Sequence, residues 1–294
     1  MKRRILPLFF LVFSLLTPRA FSGPSGDHCF LWEVRQGQSL VYILGSIHIF
    51  KNELYPLDPR IEEAFNSSET LVVEADINQA SFLAHASVLE KAVYQEGDSL
   101  EQHLSPQAYE RIHQYYLPLG LDLSLFGQFK PWFVAMQATV MGYLQLGYDP
   151  AFGIDLYFLN KASSVKKIEE LESIEFQVQM LDEMPDKDQE YFLLSSLKDA
   201  DSQEQEMDTY IQAWLTGDIA SLENALFEKL REQPESLGMY EALLFKRNRG
   251  MVSKIEGYLQ NPGTYFVVVG AGHLAGDKGI LQLLRQKGYS VRQI

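Results

Sequence analysis

The residues of this chain that can do chemistry concentrate at the ends of apolar runs. Val41-Tyr42-Ile43-Leu44 leads into Gly45-Ser46-Ile47-His48, and Phe266-Val267-Val268-Val269 leads into Gly270-Ala271-Gly272-His273. Such an apolar, β-branched run reads as a buried strand. The glycine lets the backbone turn sharply or approach a ligand. The histidine then stands just past the strand end, where open α/β sheets place their ligands. Two imidazoles far apart in sequence but alike in context can converge on one site, as metal ligands or as acid/base groups. Glu74 follows Leu71-Val72-Val73 in the same way, and Glu172 follows the run Val165–Leu171. A carboxylate there is either a solvated cap or part of a common rim. For Glu172, the adjacent Glu169 and Glu170 also allow a plain charged turn.

Asp155, in Gly153-Ile154-Asp155, reads as a helix cap or as an acid standing behind a ligand. Arg247 and Asn248 lie in the basic segment Phe245-Lys246-Arg247-Asn248-Arg249. That segment is either a solvated face or, in so acidic a chain, a clamp for a developing oxyanion. His28, His85, His103 and His113 lack the glycine context and read as ordinary surface or packed residues. There is no HExxH, GxSxG or Walker A sequence, and no GxGxxG after a strand, which removes the commonest hydrolase and nucleotide-binding motifs.

The elements that must position these residues follow from pattern. Phe30–Val34 and Leu40–Leu44, with Gln36-Gly37-Gln38 between them, predict a hairpin. Asp58-Pro59 predicts a helix start, Asp as N-cap and Pro at the first helical position. Leu71–Val73, Val165–Leu171, Tyr265–Val269 and Tyr289–Arg292 read as further strands. Residues 79–150 and 174–260 read as helical, with Phe82, Ala86, Leu89 and Val93 on one face and Ser99–Gln102 resembling a capping box. Pro131–Leu146 is apolar but too short to span a bilayer, and reads as a buried helix or a lid. Lys278–Lys287 reads as a helix closed by Gly288. The expected fold class is α/β (α+β): a mixed sheet carrying both glycine–histidine motifs at strand ends, with a large helical insertion as cap or lobe.

Residues 1–22 read as a secretory signal: a basic start (Lys2, Arg3, Arg4), an apolar stretch Ile5–Leu16 and a small-residue cleavage site Ala20-Phe21-Ser22. The expectation is an exported protein, periplasmic or secreted, whose single domain covers 23–294 and which meets a membrane only through that segment if it is uncleaved. Removing it takes four basic residues and no acidic one, so the net charge goes from −14 to −18. Such a surface repels nucleic acid and anionic lipid. At 46% apolar residues the chain can bury a core. Cys29 is its single cysteine, which excludes an internal disulfide and a cysteine-built zinc site.

In order along the chain, Gly45–His48, Thr70–Glu74, Lys130-Pro131-Trp132, Gly153-Ile154-Asp155, Leu171-Glu172 through Gln177, Arg247-Asn248 through Met251, and Val269–Leu274 resemble the TraB/PrgY/GumN/Tiki family. The resemblance runs from about Cys29 to the C-terminus. It implies a metal-dependent hydrolase-like fold related to erythromycin esterases and to a haem-binding ChaN-like group. Tiki members are described as Mn²⁺- or Co²⁺-dependent peptidases of extracellular proteins, PrgY/TraB members shut down peptide pheromones, and GumN lies in exopolysaccharide gene clusters. On this reading His48, Glu74 and His273 hold one divalent metal (Mn, Co, Fe or Zn). Glu172 or Asp155 acts as general base or orients a ligand histidine, and Arg247 and Asn248 stabilise an oxyanion. The substrate is a peptide or protein. The alternatives are a peptide-sequestering protein, a haem or iron binder, and a metal-independent esterase with His48 as base and Glu74 as its partner.

Overall fold

The computed structural model describes residues 28–77 and 86–294, the side chain at position 229 excepted. The stretch 1–22 and the residues Phe82 and His85 lie outside the described residues. Six strands form one mixed sheet: β1 (Leu31–Gln36), β2 (Ser39–Ser46), β3 (Thr70–Val73), β4 (Lys167–Glu170), β5 (Gly263–Gly270) and β6 (Val291–Gln293), in the order β4-β3-β5-β2-β1-β6. β1 and β2 are the expected hairpin, with Gln36 opposite Ser39 and Gly37 at φ 56° in the turn. That left-handed value suits a two-residue hairpin turn and favours glycine. β4, β3, β5 and β2 run parallel, so their C-terminal ends share one edge; β1 and β6 join antiparallel.

Parallel strands need both faces covered. Phe266 of β5 packs against Phe65 and Phe158, at ring-centroid distances of 5.5 and 4.9 Å, from helices Pro59–Ser67 and Ile154–Ala162. Tyr265, one residue earlier, packs on Tyr258 of helix Lys246–Gln260 at 4.7 Å. Successive residues therefore face opposite layers, as a strand requires. Asp58 caps its helix as predicted, accepting from the Arg60 N–H at 2.8 Å.

The segments between the strands are helical, and Pro131–Gln145 is a buried helix among them. None of the described helices is long and apolar enough to cross a membrane. Two local expectations need correction. Ser99 makes no side-chain cap and the segment after it is a short 3-10 turn. In helix Ala86–Ala92 the buried residues are Val88 and Ala92, while Leu89 and Val93 are exposed, because this short helix packs through the face opposite to the one read from spacing. Within the acidic stretch at 182–190, Asp188 and Gln189 are buried, and Gln189 donates to the Met184 carbonyl at 2.9 Å.

Candidate active site

The four parallel strands deliver the site residues in a row. Glu172 follows β4, Glu74 follows β3, Gly270 ends β5 ahead of His273, and His48 stands just past β2. Backbone pairing continues past the strands, with the Glu172 N–H donating to the Glu74 carbonyl at 2.7 Å. The Gly153 backbone approaches His48 so closely that a Cβ there would lie 2.4 Å from the His48 carbonyl oxygen. Gly270 is confined likewise. A Cβ on it would lie 2.9 Å from His48 Nε2 and 3.3 Å from Glu74 Oε1. The glycine that opens the second motif thus makes room for the histidine that closes the first.

Each histidine is held from behind. His48 Nδ1 is 2.8 Å from Asp155 Oδ2, and the other Asp155 oxygen accepts from the Ser46 hydroxyl at 2.7 Å. His273 Nδ1 is 2.6 Å from Asn248 Oδ1. The Asn248 amide nitrogen is spent on the Lys278 carbonyl at 2.8 Å, so its oxygen must face the ring and His273 carries its proton on Nδ1. Both Nε2 atoms are left to the front. Ligand histidines are typically supported in this way.

Glu74 lies between the rings. Its Oε1 accepts from the Gly270 N–H at 2.5 Å and is 3.6 Å from His273 Nε2; its Oε2 accepts from Arg247 Nη2 at 2.7 Å. Arg247 also donates to Glu172 Oε2 through Nε at 2.9 Å and Nη2 at 2.7 Å, and to the Leu243 carbonyl through Nη1. Gln177 completes the group, its amide 3.2 Å from Glu172 Oε2 and 3.5 Å from Glu74 Oε2.

Protonation follows from these neighbours. The Asp155 charge raises His48 to about 9 against the opposing effect of desolvation; the ring is 61% exposed, so water screens part of that attraction. Burial pushes His273 down to about 4, which leaves it neutral at pH 7. Burial alone would raise Glu74, but His273, Arg247, His48 and the Gly270 N–H together hold it well below the carboxylate range. With His273 neutral, Arg247 is the steady counter-charge.

All seven candidates named from sequence are therefore gathered on one rim. Their surroundings differ in use. Arg247 spends its donors on two carboxylates and a carbonyl, and Asn248 spends both amide ends on His273 and Lys278. Glu172 is tied to Arg247, whereas Asp155 stands directly behind His48. In the esterase alternative the partner of His48 was to be Glu74; the structure puts Asp155 there. Ser46, Gln177 and Gly153 also belong to the site. They lie within the motif segments, but their types alone gave no reason to single them out.

The sequence pattern of the TraB/PrgY/gumN family matches residues 30–293. The chain belongs to that family. The uncharacterized protein YbaP of Escherichia coli K12 is 27% identical over 259 residues, covering 85% of this chain and 89% of YbaP. An uncharacterized protein of Treponema pallidum is 23% identical over 271 residues, covering 87% of this chain and 80% of its own. The metalloprotease TIKI1 of Danio rerio is 23% identical over 319 residues, 91% of this chain but 64% of its own length. No solved structure matches the chain.

The metalloprotease name carried by some relatives raises the question of whether these TraB/PrgY/gumN residues suit a metal. Among the described residues no group of three or more His, Cys, Asp or Glu side chains is arranged to hold one. At Glu74, Oε2 accepts from Arg247 and Oε1 from the Gly270 N–H. The donor chemistry nevertheless fits. Two imidazoles are each supported at Nδ1; His273 Nε2 is 3.6 Å from Glu74 Oε1, His48 Nε2 and that same oxygen both flank Gly270, and carboxylates outnumber cations around them.

Proposed function

We propose that this protein is a metal-dependent hydrolase, a peptidase acting on extracytoplasmic peptides or proteins. The observation that carries the reading is the convergence of two matched strand ends on Gly270, where His48 Nε2 and Glu74 Oε1 both lie and His273 Nε2 is 3.6 Å from that oxygen, each ring held at Nδ1. The names of the Tiki relatives support it. His48, His273 and Glu74 would hold the ion, which would supply a water of lowered pKa. Occupancy requires His48 to give up its proton, so binding should weaken as pH falls. Asp155 keeps the His48 ring oriented, with Ser46 fixing Asp155 in turn. Asn248 does the same for His273. Arg247 and Gln177 hold Glu74 and Glu172 side by side, and Glu172 or Asp155 is the acid or base nearest the reacting groups. Arg247 would reach an oxyanion only by releasing one of its carboxylates.

Export is part of the proposal and rests on the basic, apolar and small-residue pattern of residues 1–22; N-terminal sequencing of the protein recovered outside the cytoplasm tests it. The central test is elemental analysis of the purified chain beside His48→Ala and His273→Ala, followed by cleavage of a peptide library with and without chelator. About one equivalent of metal in the wild type and far less in either variant is the expected result. Metal-free protein that still cuts peptides would favour a second reading, in which the exposed His48, paired with Asp155, is the general base. The specific observation on that side is that each Glu74 oxygen already accepts a hydrogen bond, Oε1 from the Gly270 N–H and Oε2 from Arg247.

A further inference from the structure

Among the described residues, two phenylalanines are exposed, Phe152 at 38% and Phe176 at 43%; every other described phenylalanine is buried or half-buried. Single exposed apolar side chains are ordinary, but these two lie on segments that adjoin opposite ends of the row of parallel strands. Phe152 immediately precedes Gly153, whose backbone presses on the His48 carbonyl. Its own carbonyl accepts from the Tyr55 hydroxyl at 2.8 Å. Phe176 stands in the first turn of helix Ile174–Asp182, its N–H capped by the Ser173 hydroxyl at 3.1 Å. The next residue, Gln177, reaches both Glu74 and Glu172. Each ring is thus borne on hydrogen-bonded backbone one residue away from a group that packs into the site. Phe152 belongs to the β2 end and Phe176 to the β4 end.

β3 and β5 lie between those two strands. Three strand intervals span about 14 Å, and about four residues of extended peptide cover that length. We propose that Phe152 and Phe176 are paired apolar subsites, each gripping a nonpolar side chain of an extended peptide laid across the strand ends, the two side chains about four residues apart. The proposal rests on the hydrolase reading of the site and names its substrate class. Apolar anchors at both ends would hold the intervening peptide bonds over Glu74 and the two histidines, so that binding away from the reacting atoms is used for positioning.

The test uses two fluorescein-labelled nonapeptides of serine and glycine, one with phenylalanines four positions apart and the other with asparagines in their place. Anisotropy titrations are run with the full chain in chelator, and with Phe152→Ala, Phe176→Ala and the double variant, each first shown by circular dichroism to be folded. The expected result is about tenfold tighter binding of the phenylalanine peptide by the wild type, part of it lost in each single variant and all of it in the double. Equal affinity for the two peptides, or a preference that survives in the double variant, overturns the proposal. Preferential binding without cleavage, with Mn²⁺, Co²⁺ and Zn²⁺ each supplied, would sink the hydrolase reading and leave the subsites standing.

Discussion

Gly270 sets how close the groups of this site can come. Its φ of −52° and ψ of 135° are open to any residue, so Gly270→Ala costs little in the backbone. The added methyl instead meets His48 Nε2 and Glu74 Oε1. We expect Gly270→Ala to lower kcat/KM by about a hundredfold or more with little change in Tm, measured side by side on the same preparation. Arg247→Met should behave differently. It leaves Glu74 and Glu172, both buried, without their shared cation, and should destabilise by about 3–5 kcal/mol in urea unfolding. Adding Glu172→Gln should recover part of that loss. The histidines and Glu74 were legible in the sequence because a strand end followed by a chemical group is a local pattern. Asp155 was legible as an acid standing behind a ligand, but which histidine it serves was not, nor was the place of Asn248 behind His273, because His48 meets Asp155 across 107 positions and His273 meets Asn248 across 25. No periodicity encodes such pairs. Gln177 stood in the family pattern, but only its contacts give it work.

At the scale of elements, strands were easier to read than helices. A buried parallel strand is a continuous apolar run, whereas a helix as short as Ala86–Ala92 buries whichever face its neighbours cover. The turn Glu241–Phe245 is a π-helix directly ahead of Arg247 and Asn248. Nothing in its composition announces it, although such turns recur at functional sites. His103 was read as ordinary, yet it ties two elements together. Its ring stacks on Tyr94 at 4.5 Å, with Nε2 3.0 Å from Asp98 and Nδ1 3.1 Å from Asp186 at the start of helix Asp186–Ser196. Both nitrogens face acceptors, so the clasp is complete only in the imidazolium. Burial opposes that charge, but the hydrogen bonds to Asp98 and Asp186 outweigh it and raise the pKa. A raised folded-state pKa contributes stability that is fully present below the unfolded value, about 6.5, and is lost as pH rises through the folded one. The same contact holds Asp98 low, and its contribution fades as the carboxylates protonate. The stability lost in His103→Gln should therefore be largest between about pH 4.5 and 6.5 and shrink in alkali. Urea melts of both proteins across that range check it; a difference that grows above neutrality would refute the clasp.

At the scale of the whole molecule, the sheet shares its core with helix Ala200–Leu215, while Leu100, Ile112, Tyr116 and Val134 pack in a separate helical cluster. Met207, Ile211 and Trp214 of helix Ala200–Leu215 pack in the same cluster as Val41, Ile43 and Phe266. Trp214 meets Phe50 edge-on at 5.7 Å and donates its indole N–H to the Gly45 carbonyl at 2.6 Å. That carbonyl belongs to the glycine that opens the first motif, so the helical part of the chain is bonded to the strand end that carries His48. A cap that merely rested on the sheet could melt by itself. One with its tryptophan in the common core should not, and we expect a single urea transition by fluorescence and by far-ultraviolet circular dichroism. Trp214→Phe keeps an aromatic ring while removing the donor, and strands a buried carbonyl at a cost of about 1–3 kcal/mol. If the bond also sets the position of His48, activity should fall at temperatures well below the variant's melting point, and Trp214→His, which restores an N–H donor, should recover part of it. Unfolding in two separated steps already in the wild type would mean that the lobe is an independent unit, and that its hold on Gly45 is not what aligns the motif.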